Sequence, residues 1–220
     1  VITTIGLILY GLETYLTVQQ LPPQPESSKI VKRPGLPFDT RTKLEVINDL
    51  RKSGFDAYPN FASMTLPNTK HGQIVTIGGI SNITTILDNE LGYYPIITTD
   101  EYGFNNPIGL YESPAIDILL IGDSFTEGYS VHPEESISGR LRQSDLRTIN
   151  LGRHGAGPLV EYASLIEYGV QLKPRFVLWL YYTNDLKDMV DESRSDILTN
   201  YLTNDNFSQK LVEKQKEIDK

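Results

Sequence analysis

The sequence predicts an α/β domain built on a parallel sheet over residues 113–220, preceded by a small α+β extension over residues 39–112, and three observations lead there. Residues 115–121 (AIDILLI) form a short, nearly continuous apolar run, the pattern of a strand buried on both faces of a parallel sheet. Residues 147–151 and 175–182 (RFVLWLYY) repeat the strand signal, with helical patterns between, so the order strand, helix, strand, helix, strand implies right-handed crossovers. The first run stops at Gly122-Asp123-Ser124, the carboxyl end of a strand, where open α/β sheets place ligands and reacting groups.

Taken in order, residues 1–18 (VITTIGLILYGLETYLTV) are apolar but contain Glu13 and fall short of the roughly 20 residues that span a bilayer. A run that begins without Met reads as the tail of an N-terminal signal anchor; an amphipathic helix packed on the domain is the other reading. Residues 19–38 carry Pro22, Pro23, Pro25, Pro34 and Pro37 among polar residues and form an extended, semi-rigid spacer. Asp39 or Thr40 caps a helix running to Lys52, with Leu44, Val46, Ile47 and Leu50 on one side and Gly54 just beyond it. From residue 73 to residue 99 the pattern turns to β, with a hairpin of residues 83–87 and 94–98. In that hairpin Tyr93 and Tyr94 read as a cross-strand pair. Residues 103–107 (GFNNP) are a loop that delivers the chain to the central strand.

Beyond Ser124, Pro133 opens a helix to about Ser144, with Glu134 and Glu135 beside the positive end of its dipole. Pro158 opens another, whose apolar face is Leu159, Tyr162, Ala163, Leu165, Ile166 and Val170. Residues 175–182 are a third buried strand that takes Trp179 into the core, and residues 186–202 and 207–220 are polar and helix-permissive.

Composition narrows the function. A formal charge of -8 with no basic stripe argues against a nucleic-acid partner. The chain has no Cys, which removes disulfides, thiolate metal sites and a Cys nucleophile. No His and acid ligands cluster at metal spacing, so neither a metal nor another cofactor is expected.

Gly122-Asp123-Ser124-Phe125, then Asn150-Leu151-Gly152-Arg153-His154-Gly155, then Thr183-Asn184-Asp185-Leu186 resemble, in order and spacing, the first three blocks of the SGNH/GDSL hydrolases. The resemblance covers residues 115 to about 190; a looser one, over residues 38–111, is to the segment before the serine block in membrane-anchored bacterial proteins of this kind. It implies a flavodoxin-like three-layer α/β/α fold and a serine esterase or acyltransferase. By resemblance Ser124 is the nucleophile, and the N–H of Gly155, the amide of Asn184 and the N–H of Ser124 form the oxyanion hole. Glycine suits that role because a missing Cβ lets substrate approach the backbone, and Asn because its amide is a neutral donor at every working pH. Asp123 and Asp185 support the site as turn and loop hydrogen-bonders, and Gly152 and Gly157 form loops. Tyr181 and Tyr182 are expected in core packing rather than lining an acyl or sugar pocket.

The family's Asp-x-x-His has no match in the chain. Its histidines are His71, His132 and His154; the first two read as exposed loop residues, and nothing in the sequence positions an acid for His154. The ending VEKQKEIDK has no helix stop signal, so the chain is expected to stop before the block that carries the Asp and His. Where the third block usually has Gly two residues before Asn, this sequence has Tyr182, which narrows the pocket. The expectation is a membrane-tethered, extracytoplasmic serine hydrolase or acyltransferase acting on a small-molecule or carbohydrate ester, an O-acetyl group preferred. Its rival is a binding module of the same fold without turnover.

Overall fold

The computed structural model describes residues 38–70 and 72–220. The anchor and most of the Pro-rich spacer expected over residues 1–37, and His71, lie outside the described residues. Among the described residues no helix is long and apolar enough to cross a membrane.

The extension begins with α1, Lys43–Lys52. Its cap is Thr42, not Asp39 or Thr40: Thr42 accepts from Glu45 N–H while the Glu45 carboxylate returns to Thr42 N–H at 2.7 Å, a reciprocal box that neither earlier residue can close with Glu45. Val46 and Ile47 are buried with Ala57 and Ile86 in a small separate core, whereas Leu44 faces solvent. Gly54 follows the helix at φ +91°, as its place past the end requires. The β region holds two antiparallel hairpins. The pair β1 (Thr65–Thr69) and β2 (Gly72–Val75) adds a strand the sequence does not announce, since Pro67 sits inside it. The pair β3 (Thr84–Ile86) and β4 (Ile96–Thr98) falls within the expected hairpin. Tyr93 and Tyr94 precede β4 rather than pair across it: Tyr93 stacks on His132 and the Tyr94 hydroxyl donates to Arg41 O.

Loop 100–106 then ties the extension to the sheet. Buried Asp100 accepts from Tyr102 and Phe104 N–H, both at 2.9 Å, and from Asn106 Nδ2 at 2.7 Å. Asn106 in turn donates to Asn150 O and accepts from Asn150 N–H. Burial pushes the Asp100 carboxyl up to about 6, and these donors pull against it.

The central sheet is parallel, with β5 (Ile118–Gly122) between β6 (Thr148–Asn150) and β7 (Phe176–Leu180). Helices flank it, making the domain mixed α/β. Every residue of β5 is buried, and Leu119, Ile121, Ile149 and Leu151 anchor the main core. After β5 come α2 (Ser124–Glu127) and α3 (Ile137–Gln143). The helix expected from Pro133 breaks at Ser136, which adopts an extended backbone and caps α3 by accepting from Gly139 N–H at 3.0 Å. After β6, α4 (Pro158–Ser164) loosens into a π turn at residues 165–169 and then a 3-10 turn, which rotates Val170 out to solvent.

The largest departure is β7. It pairs in register with β5 but exposes Phe176, Val177, Leu178 and Trp179, so both faces are open and Trp179 is 47% exposed rather than core. Its composition is that of an interior strand, whereas among the described residues it is an edge. Tyr181 and Tyr182, expected in core packing, are exposed as well. Three more helices follow: α5 (Asp185–Glu192), α6 (Asp196–Thr203) and the short α7 (Gln215–Ile218).

Candidate active site

The site is built where β5 meets α2. Gly122 ends the strand with no room for a side chain: an added Cβ would lie 2.1 Å from Thr126 Oγ1 and 2.7 Å from Leu180 O. That close approach lets the chain turn straight into α2 beside β7. Asp123 caps the turn, its Oδ1 accepting from Phe125 N–H at 2.9 Å, which is the turn-closing role expected of it. Ser124 is the first residue of α2 and half-buried. Among the described residues neither its hydroxyl nor its N–H has a hydrogen-bond partner. It opens on a groove of about 230 Å³ lined by Leu91, Phe125, Tyr129 and Val131.

The second block wraps the inner side of α2. An added Cβ on Gly152 would fall 2.5 Å from both Glu127 N and Thr126 Cβ, so the two segments touch backbone to backbone. Asn150 bonds the contact from below, donating from Nδ2 to Thr126 O at 2.6 Å and accepting from Gly152 N–H at 2.8 Å. Gly155 has φ +70°, lies exposed on its loop against Ala62, and has an N–H without an acceptor among the described residues.

Between these blocks lies a residue that sequence reasoning missed. Glu127, one turn after Ser124, points inward and is 1% exposed. Its Oε1 accepts from Asn60 Nδ2 at 3.0 Å; its Oε2 accepts from His154 N–H at 2.7 Å and lies 2.9 Å from His154 Nδ1. Arg153 Nη1 is 3.8 Å from Oε1. Burial pushes the Glu127 carboxyl up, but the hydrogen bond and charge of His154, the charge of Arg153 and the Asn60 amide outweigh it and hold the group below the usual range. An ionised carboxylate only accepts, so Nδ1 carries the hydrogen and Nε2 is left open. His154 therefore has an acid partner after all, 27 residues away in sequence. Its ring stacks on Tyr129 at 4.2 Å, and the Tyr129 hydroxyl accepts from Lys43 Nζ.

The third block reaches the first from across β7. The Tyr182 ring lies 4.7 Å from Phe125, so this residue, in the place of the usual glycine, does press on the segment bearing Ser124. Asn184 donates to Asp188 Oδ2 at 3.1 Å and sits beside Asp123, where its amide draws the Asp123 carboxyl down against the larger upward push of burial. Asp185 closes the loop by accepting from Tyr182 N–H at 2.7 Å. Glu192 of α5 accepts from the N–H groups of Gly157 and Leu159, capping α4 from another element. The first block thus touches the other two directly. Gly155 is linked to the helix of Ser124 through His154 and Glu127.

Behind this edge Asp123, Glu161 and Asp185 are buried, each with one oxygen lacking a hydrogen-bond partner among the described residues. Glu161 accepts from Trp179 Nε1 at 2.6 Å. Burial, then the charges of Asp185, Asp123 and Glu192, push its carboxyl up to about 8 despite that bond. Among the described residues no three His, Asp or Glu side chains could hold a metal ion. A scan of protein-family models and a search of curated proteins both return no match for the chain.

Proposed function

We propose that the chain is a serine hydrolase or acyltransferase of the SGNH/GDSL type, with a flavodoxin-like α/β/α fold, acting on ester bonds through an acyl-Ser124 intermediate. The observation that carries this reading is a Ser124 hydroxyl, beside its own N–H, neither with a partner among the described residues, at the carboxyl end of the fully buried strand β5. In the reaction Ser124 Oγ attacks the ester carbonyl carbon and passes its proton to a general base, which returns it to the departing alcohol, and the carbonyl oxygen takes the negative charge. The N–H groups of Ser124 and Gly155 and the Asn184 amide are the donors assigned to that oxyanion. Collapse expels the alcohol and leaves the acyl group on Ser124, and water or a sugar hydroxyl then receives it. A groove of about 230 Å³ is smaller than the sites that enclose drug-sized ligands, which favours a short acyl group such as acetyl on a small or carbohydrate alcohol. In the same reading residues 1–18 tether the domain to a membrane and hold it outside the cytoplasm.

A fluorophosphonate probe tests the proposal. It should label the natural protein at one site, and Ser124→Ala should abolish the label. The second reading is a binding module of the same fold, with Asn184 and Gly155 holding a ligand and no turnover. It requires no labelling together with retained binding of a carbohydrate or acyl ligand.

A further inference from the structure

We propose that Glu127 is a positioning residue: through His154 it holds in place the Gly155 N–H, the oxyanion donor assigned to the acyl-Ser124 reaction. The inference rests on the acyl-Ser124 reading and adds to it the device that keeps two of its donors in register. Those donors sit on separate segments, the start of α2 and the loop after β6, which are adjacent in space but not in sequence. Preorganised donors stabilise an oxyanion only when their spacing is fixed before charge develops, so something must lock one segment to the other.

Glu127 is placed to do this. It belongs to the same single helical turn as Ser124, so displacing its carboxylate displaces the turn. Its Oε2 grips His154 twice, at the backbone N–H and at Nδ1, and His154 is the residue immediately before Gly155. A double grip on one residue fixes both the position of that peptide and its rotation, and rotation decides where the next N–H points. The stretch that leads into His154 is held as well, because Arg153 N–H donates to Gly122 O at 3.1 Å and Gly152 lies flat against Thr126. Asn60 and Arg153 satisfy the other oxygen of Glu127, which keeps the carboxylate from swinging away.

The test is made in the full natural protein with a p-nitrophenyl ester of a short acid and with the fluorophosphonate probe, folding being checked by thermal midpoint. Glu127→Gln should lower kcat about 10- to 100-fold and slow labelling of Ser124 in proportion, with KM changed less than about 3-fold, because a misaligned oxyanion donor acts on the transition state alone. His154→Phe, at the less buried partner, retains the ring over Tyr129 and the backbone N–H but loses Nδ1, and should give a smaller fall of about 3- to 10-fold. An unchanged kcat in a folded Glu127→Gln protein overturns the inference while leaving the acyl-enzyme reading intact. So does a rise in KM at constant kcat. A His154→Phe loss as deep as that of Ser124→Ala makes His154 the base and overturns a positioning role. Absence of labelling in the unaltered protein removes the acyl-enzyme reading and this inference with it.

Discussion

Replacing Glu161 by Gln should spare the protein a loss of stability that the unaltered chain suffers as the pH rises. In the folded chain the Glu161 carboxyl is pushed from its ordinary 4.5 up to about 8, because it is buried and faces Asp185, Asp123 and Glu192. An unfolded chain releases that proton near 4.5. Between these values the unfolded state binds fewer protons than the folded one, so stability falls with rising pH from about 4.5 to about 8 and is flat beyond. Taken whole, the shift corresponds to roughly 5 kcal/mol. Glu161 lies directly beneath a half-exposed Trp179 on an open strand, and water one side chain away screens much of this, leaving about 1–2 kcal/mol. Gln cannot ionise but keeps an acceptor for Trp179 Nε1. Urea unfolding of both proteins should therefore show a gap that grows by about 1–2 kcal/mol in favour of Glu161→Gln between pH 5 and pH 9. A gap that stays constant, or that grows in favour of Glu161, would refute the assignment of a proton to this carboxyl.

Glu127 gives the opposite dependence. Its folded carboxyl is held below the ordinary value, so its contribution to stability is present above about pH 4.5 and is lost as pH falls through the folded value. Glu127→Gln should cost about 2–4 kcal/mol at pH 7, by leaving the buried Arg153 charge without its carboxylate and one of that carboxylate's donors unpaired, and the deficit measured by denaturant unfolding should shrink on acidification below pH 4.5. Gly152→Ala should destabilise by about 2 kcal/mol or more, since the new methyl group meets Glu127 N and Thr126 Cβ at 2.5 Å; thermal unfolding measures it. Trp179 is the sole tryptophan, so its emission should be red-shifted and readily quenched by acrylamide, whereas a core position would give a protected, blue-shifted signal.

The parallel sheet was legible because its information is local. Residues 118–122 are apolar at every position, a pattern that only burial on both faces explains, and the hairpin of β3 and β4 carries its own loop. Residues 176–180 show the limit of the same rule. Their composition is that of a strand between two others, and composition records what a strand is suited to, not what lies beside it. Thr42 in place of Asp39 or Thr40 is a smaller instance: several residues of the right type stand in a row, and the return bond from Glu45 selects among them.

The candidate site divides along the same line. The place of Ser124 just past β5 and the turns closed by Asp123 and Asp185 were legible because each is fixed within a few residues of sequence. Glu127 was not, because its meaning lies in Asn60, Arg153 and His154, which are 67, 26 and 27 residues away and converge only after β5 and β6 have paired. One signal was available: an acid one turn after the serine, where it must face either the solvent or the sheet. With the next segment reading Gly-Arg-His-Gly, facing the sheet places that acid against a cation and an imidazole in register beside it. A buried carboxylate with such neighbours costs little to ionise and much to unpair. The consequence is that α2 and the loop bearing Gly155 behave as one mechanical piece, so any change that frees Glu127 should reach Ser124 and Gly155 together.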